Sequence, residues 1–186
     1  MRLGGSALLG NELRAAGRSA AKTGATLFAE PFPGRMDRGA GLPEITRLPY
    51  FPEDVLKRLA GLTHLVLVGA KAPVSFFQYP GHPNSLVPAG CAIVTLCGQH
   101  NAARPYLYAV NATLGTEKAD SALIEPEEHS PPSGALTTKT AGAAIAAALP
   151  EGAIIADESA TSGGPAYHLT RNAPRHSAMY LTGGGI

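Results

Sequence analysis

Three short, unbroken apolar runs constrain the fold of this chain more than any other feature: 64–69 (HLVLVG), 92–96 (AIVTL) and 153–156 (AIIA). Each is rich in β-branched residues, and none alternates apolar with polar. Runs of this kind are strands buried on both faces. The segments between most of them read as helices or loops, so the sequence predicts an α/β fold with a parallel sheet covered on both sides.

The connecting segments support this reading. Leu8, Leu9 and Leu13, with Ala16 and Ala20, recur at helical spacing and predict a helix over 8–22 that stops at Gly24. The basic, Ala-rich start has the composition of a transit peptide, but that spacing makes it the first helix of the fold. Leu3-Gly4-Gly5 reads as a strand ending in a glycine turn. Residues 25–29 form a further strand, and Pro52-Glu53-Asp54 opens a helix running to about residue 60, with proline in the first turn and acids at the positive end of the dipole. Residues 30–48, with three Pro and three Gly, read as a long functional loop. Residues 106–110 fit either a strand or a helix. An Ala-rich helix over 140–149 follows a Pro-, Gly- and Glu-bearing linker at 120–139. A helix near Ala166 and a strand over 177–181 complete the pattern. Both ends read as interrupted units: a strand fragment at the start, and a strand running into Thr182-Gly183-Gly184-Gly185-Ile186 at the finish. The expected sheet edges are apolar and a liability for solubility.

Composition excludes several classes. With 186 residues, 45% apolar and 16% charged, the chain can bury a core and is not disordered. A net charge of +1 gives no electrostatic reason to expect nucleic acid. No apolar run is long enough to span a membrane. Cys91 and Cys97 match no metal spacing and read as buried, reduced thiols of a cytoplasmic protein. The six histidines show no metal-binding spacing. No nucleophile elbow and no Walker loop is present. The opening Gly4-Gly5-Ser6 lacks a full dinucleotide fingerprint and reads as a tight strand-to-helix turn.

One constellation points to a ligand. A strand delivers Asp157-Glu158-Ser159-Ala160-Thr161-Ser162 at its carboxyl end, and a second delivers the Gly183-Gly184-Gly185 turn at its own. Ligands of open α/β sheets bind at such ends. Hydroxyls of Ser159, Thr161 and Ser162, with free backbone amides, can hold a phosphate, and a glycine turn lets a cofactor lie against bare backbone.

The order AGAAIAAALPEGAIIADES followed downstream by YLTGGGI resembles the opening of the diphosphate-binding domain of thiamine-diphosphate enzymes, nearest to the benzoylformate decarboxylase branch. Upstream, LPYFPEDVLKRLAGLTHLVLVGAKAPVSFFQYPGHPNSLVP is similar to the central domain of acetolactate synthase-like large subunits. The resemblance implies a Rossmann-like, parallel-sheet central domain over 1–130 and a truncated second α/β domain over 131–186. It implies a parent that cleaves or forms a carbon–carbon bond next to the carbonyl of a 2-oxo acid, as a decarboxylase or a synthase, and that works as a homo-oligomer.

By the same resemblance Ser159, Ala160 and Thr161 face the cofactor diphosphate. Ala160, where relatives carry a polar residue, offers only backbone. Gly184 matches the position whose carbonyl receives the aminopyrimidine amine, and Ile186 the apolar wedge that bends the cofactor so that it performs the chemistry. The family's Gly-Asp-Gly motif, which holds the Mg²⁺ bridging to the diphosphate, does not occur in this sequence, and its activating Glu belongs to another domain. No catalytic or metal-binding residue is therefore assigned, and the chain is expected to be inactive alone. Some relatives bind FAD in the central domain for structure. Because the nearest C-terminal resemblance is to the flavin-free branch, FAD is the less favoured cofactor.

Overall fold

A computed structural model describes residues 1–78, 80–159 and 161–180. The chain forms two compact units: Met1–Pro33 with Ile45–Ser121, and Gly34–Glu44 with Ala122–Ile186.

The first unit is a parallel sheet of β1 (Arg2–Leu3), β2 (Phe28–Ala29), β4 (Thr46–Arg47), β5 (His64–Val68) and β6 (Ala92–Cys97). Its order is β4-β2-β1-β5-β6, and every pairing is parallel. Taken in chain order these five strands run 3-2-1-4-5 across the sheet, the Rossmann arrangement, with direction reversing between β1 and β5. Helix α1 (Gly10–Thr23) buries Leu13, Ala16 and Ala20, the apolar spacing seen in the sequence, and stops at Gly24 in the left-handed region (φ 71°). Helix α2 (Pro52–Leu59) has proline in its first turn, Glu53 and Asp54 at its start, and Lys57 and Arg58 at its end. Its Val55 and Leu59 join Phe28, Leu48 and Leu86 in one core cluster.

The ambiguous segment around 106–110 is helical: α3 (Arg104–Leu114) takes Pro105 in its first turn and ends at Gly115 in the left-handed region. It packs against α1. Across that contact Ser19 Oγ and Thr116 Oγ1 donate to Asn111 Oδ1 (2.9 and 2.7 Å), and Asn111 Nδ2 donates to the Ala15 carbonyl (3.0 Å). All three side chains are buried, so the network fixes one register of helix against helix.

The expectation of strands covered on both faces holds for β1, β2 and most of β5, and fails for the run 153–156, where Ile154 is 68% exposed, and for β6. Its residues 92–95 are all exposed. Continuity of the apolar run reports strand propensity there rather than burial.

The second unit has a three-stranded sheet in the order β3-β8-β7: β3 (Met36–Arg38), β8 (His176–Tyr180) and β7 (Ile154–Asp157). β7 and β8 are parallel, and β3 joins antiparallel. The segment expected as one long loop over 30–48 thus supplies two strands, β3 here and β4 in the first unit. The tripeptide Met36-Asp37-Arg38 carries no strand pattern of its own, and its conformation comes from pairing with β8. Gly39 closes the strand at φ 107°, where a Cβ would stand 2.7 Å from the Pro174 carbonyl oxygen. Helix α4 (Thr138–Ala148) begins with a reciprocal Thr137–Thr140 capping box. It packs on α5 (Gly164–Leu169) so closely that a Cβ on Gly142 would lie 2.7 Å from the Ala166 nitrogen.

Candidate functional site

β7 and β8 finish side by side, with Asp157 opposite Tyr180. The carboxyl ends of both strands therefore share one edge of the second unit's sheet, where the sequence places its ligand constellation. The turn after β7 is organised by Asp157. Its Oδ1 accepts from the Ser159 backbone N–H (2.9 Å) and from the Ser159 hydroxyl. The chain then curls back so tightly that a Cβ on Gly163 would lie 2.0 Å from Ser159 Oγ and 3.0 Å from Asp157 Oδ1.

Of the residues predicted from sequence, Ser159 and Thr161 are both exposed on this turn. The Ser159 hydroxyl already donates its hydrogen bond to Asp157, which leaves the exposed hydroxyls of Thr161 and Ser162 as the turn's other side-chain donors. Ala160, Gly184 and Ile186 lie outside the described residues. Asp157 as the organiser was not foreseen. Its signal was the Asp-x-Ser spacing of a side chain that bonds the backbone two residues on.

Arg38 anchors the neighbouring helix. Its guanidinium lies 3.7 Å from the centre of the Tyr167 ring and donates to Thr170 Oγ1 (3.1 Å) and the Tyr167 carbonyl (2.6 Å). α5 is thereby tied to β3. Asp37, also on β3, accepts from Ser177 Oγ of β8 (2.8 Å). His176 is buried with Nδ1 2.8 Å from the Pro174 carbonyl oxygen, and burial pushes its pKa below the usual histidine value.

The first unit has its own candidate crevice, where the strand order reverses. Gly4 and Gly69 end β1 and β5 there. A Cβ on Gly4 would lie 2.4 Å from the Gly69 oxygen, and one on Gly69 2.6 Å from the Gly4 oxygen. The opening glycines therefore serve close packing of two backbones, as a tight turn does. Arg2 is buried beside them, donating to the Lys71 carbonyl, with Glu30 at 3.9 Å. Burial lowers its pKa and Glu30 partly restores it. Aromatic rings gather on loops that follow β2, β4 and β5: Phe76 lies 5.7 Å from Phe32, 5.3 Å from Tyr50 and 4.9 Å from Phe77, centre to centre. Sequence reading missed this cluster because its members are far apart along the chain.

No family model matches the chain. It is 43% identical over its whole length to the Mycobacterium tuberculosis protein described as "Putative acetolactate synthase large subunit IlvX", of which it covers 36%. Its fold matches the Rhodococcus jostii RHA1 thiamine diphosphate-dependent 4-hydroxybenzoylformate decarboxylase with a TM-score of 0.67 at 18% identity, covering all of this chain and 38% of that one. From end to end the chain is similar in sequence to a segment of the first protein and in fold to a segment of the second, a thiamine diphosphate-dependent enzyme. It spans about a third of the length of the curated relative it matches.

The turn after β7 can be tested against the diphosphate of the family's cofactor. Exposed hydroxyls and a tight, glycine-closed backbone suit phosphate oxygens. Asp157 and Glu158 in the same turn repel a bare diphosphate, whereas one whose charge is offset by a divalent cation meets far less repulsion. Among the described residues no group of His, Cys, Asp or Glu is placed to hold such a cation. The turn's hydroxyls and backbone thus suit phosphate oxygens, and its two carboxylates suit only a diphosphate whose charge is offset.

Proposed function

We propose that this chain supplies the central domain, about residues 1–130, and the opening of the diphosphate-binding domain, about 131–186, of a thiamine-diphosphate enzyme acting on 2-oxo acids. The parent reaction is decarboxylation or carboligation, catalysed by a homo-oligomer in the cytoplasm with Mg²⁺ as the bridging metal. The observation that carries this reading is the 43% identity sustained from one end of the chain to the other. No helix among the described residues is long and apolar enough to cross a membrane.

In this reading the backbone of Ser159 and Ala160 and the Thr161 hydroxyl hold the diphosphate. The Gly184 carbonyl receives the aminopyrimidine amine, and Ile186 keeps the cofactor bent. The cofactor, when bound, would supply the electron sink for breaking or making the bond next to the carbonyl of a 2-oxo acid. What this chain contributes is position: Asp157 fixes the turn, and Gly163 leaves room for it.

The chain alone turns over no substrate, since the Gly-Asp-Gly motif is not in it and no catalytic carboxylate is assigned to it. Purified chain with thiamine diphosphate, Mg²⁺ and a 2-oxo acid should release no carbon dioxide and form no acetolactate. Turnover under those conditions would overturn the inactivity, and diphosphate binding unaffected by Thr161→Ala would overturn the site.

A second reading, a nucleotide- or flavin-binding module without catalysis, draws on the 3-2-1-4-5 strand order of the first unit. Flavin absorbance retained through purification would favour it.

A further inference from the structure

α5 buries none of its own side chains, and at six residues it is too short to persist on propensity alone. Its place must come from directional contacts. One is the close seat against Gly142 of α4. The other arrives from β3. Arg38, only 8% exposed, lies 129 positions before Tyr167, yet it meets the last turn of α5 at three points. Its fork donates to the Tyr167 carbonyl and to Thr170 Oγ1, and its plane lies over the Tyr167 ring. That carbonyl is among the last four of the helix, which have no backbone N–H of the helix to accept from, so the guanidinium supplies what the helix cannot. Thr170 Oγ1 in turn donates to the Ala166 carbonyl (2.8 Å). β3 itself is fixed by its ladder to β8 and by Asp37, which accepts from Ser177.

What Arg38 fixes is passed on to the turn after β7. The Tyr167 N–H donates to the Gly163 carbonyl (2.9 Å), so the residue under the guanidinium also holds the residue that closes the turn. Gly163 stands so close to Ser159 Oγ and Asp157 Oδ1 that no methyl group fits between. The Tyr167 ring lies 6.3 Å, centre to centre, from Tyr180, which stands opposite Asp157 in the β7–β8 register. Both ends of the turn are therefore tied to one ring and one guanidinium.

We propose that Arg38 is a positioning residue for the diphosphate turn: acting through Tyr167, it holds the backbone after β7 in the shape that the ligand meets. Its fork is engaged by α5, so it acts on the turn and not on phosphate oxygens. The role toward diphosphate rests on the thiamine-diphosphate reading above, whereas the ordering of the turn stands on these contacts alone. A turn ordered in advance spares the ligand the cost of ordering it. Where it is ordered only part of the time, apparent affinity falls by that fraction.

The test uses the full chain at a temperature where circular dichroism shows each variant folded. It has two readouts: hydrogen exchange of the Ser159 amide, which bonds Asp157, and calorimetric titration with magnesium pyrophosphate. Arg38→Leu should speed that exchange and weaken pyrophosphate binding, each on the order of tenfold. Arg38→Lys should do the same, because an ammonium keeps the charge and loses the fork. Thr170→Val, which keeps the shape but takes one partner from the fork, should move both readouts the same way by a smaller factor. Leu59→Ala, a loss of packing in the first unit, should leave both as in the wild type. Unchanged Ser159 exchange in Arg38→Leu or in Thr170→Val would overturn the proposal. So would equal acceleration in Leu59→Ala, which would reduce the effect to general stability, or full rescue by Arg38→Lys, which would assign it to charge. A wild type that takes up no pyrophosphate while Ser159 exchange still responds to Arg38 would sink the diphosphate site, and with it the role of Arg38 toward that ligand, but not the ordering of the turn.

Discussion

The two units of this chain bury different chemistry around their sheets. The first is held by hydrocarbon: Leu3, Leu8, Leu13, Phe28, Leu59, Leu65 and Leu107 are almost wholly buried, and polar burial is concentrated at Arg2 and the Asn111 network. In the second, Asp37, Arg38, Thr170, His176 and Ser177 are buried around a sheet whose large buried apolar side chains include Met36, Leu42 and Tyr180. Apolar packing is non-directional and tolerates repacking. Buried polar groups must be matched bond by bond, so the second unit should be less forgiving of chemistry and more sensitive to pH. A site that must present hydroxyls and amides to an anion gains from that directional scaffold.

The largest expected effect tests the hydrocarbon side. Leu59→Ala removes a fully buried side chain from the cluster with Phe28, Leu48, Val55 and Leu86 and should cost about 2–5 kcal/mol in chemical denaturation. Leu59→Met, which conserves volume, should cost less than about 1.5 kcal/mol. Equal losses from both would mean that the first unit depends on shape as strictly as the second. Next comes Arg38→Leu in the second unit. It removes two hydrogen bonds and the ring contact with Tyr167, and about 1.5–3 kcal/mol should be lost. Arg38→Lys should recover little, because an ammonium cannot reproduce the planar fork over the ring. Full rescue by Lys would show that charge alone suffices and would erase the proposed contrast.

The same contrast explains what could be read from sequence. In the first unit the strongest local signals agree with the fold: Leu13, Ala16 and Ala20 mark the buried face of α1, Gly24 its stop, and His64–Val68 a central strand. The strand β3 was illegible, because Met36-Asp37-Arg38 has no periodicity and is defined by partners near position 177. Residues 106–110 fitted either a strand or a helix, and Pro105 in the first turn and the left-handed Gly115 decide for a helix. At the candidate site the sequence located the turn and its hydroxyls. It could not reveal that Asp157 accepts the hydrogen bond of the Ser159 hydroxyl, since that depends on the chain curling back to Gly163.

A smaller effect is expected at that curl. Gly163→Ala sets a methyl group where Ser159 Oγ now lies, and the cheapest escape is rotation of the serine away from Asp157. Losing one such hydrogen bond should cost about 1 kcal/mol. In a Ser159→Ala background the same substitution should cost measurably less, a coupling that a double-mutant cycle detects. Additive effects would mean that Gly163 matters for some reason other than the Ser159 hydroxyl.

The smallest effect at neutral pH belongs to His176, and it grows only on acidification. Burial is the main cause of its lowered pKa, and Arg38 adds to it. The Pro174 carbonyl, Asp37 and Glu151 act the other way. The unfolded chain therefore takes up its proton first, near the ordinary value of about 6.5. Above that value both states are neutral and His176 makes no pH-dependent contribution. As pH falls from there toward the folded-state pKa, the unfolded state binds more protons and stability declines. Thermal unfolding followed across this window should show a lower melting temperature at each acid step, and His176→Gln should flatten that slope. If the slope persists unchanged in the variant, acid sensitivity comes from groups other than His176, and the buried imidazole does not distinguish the second unit from the first.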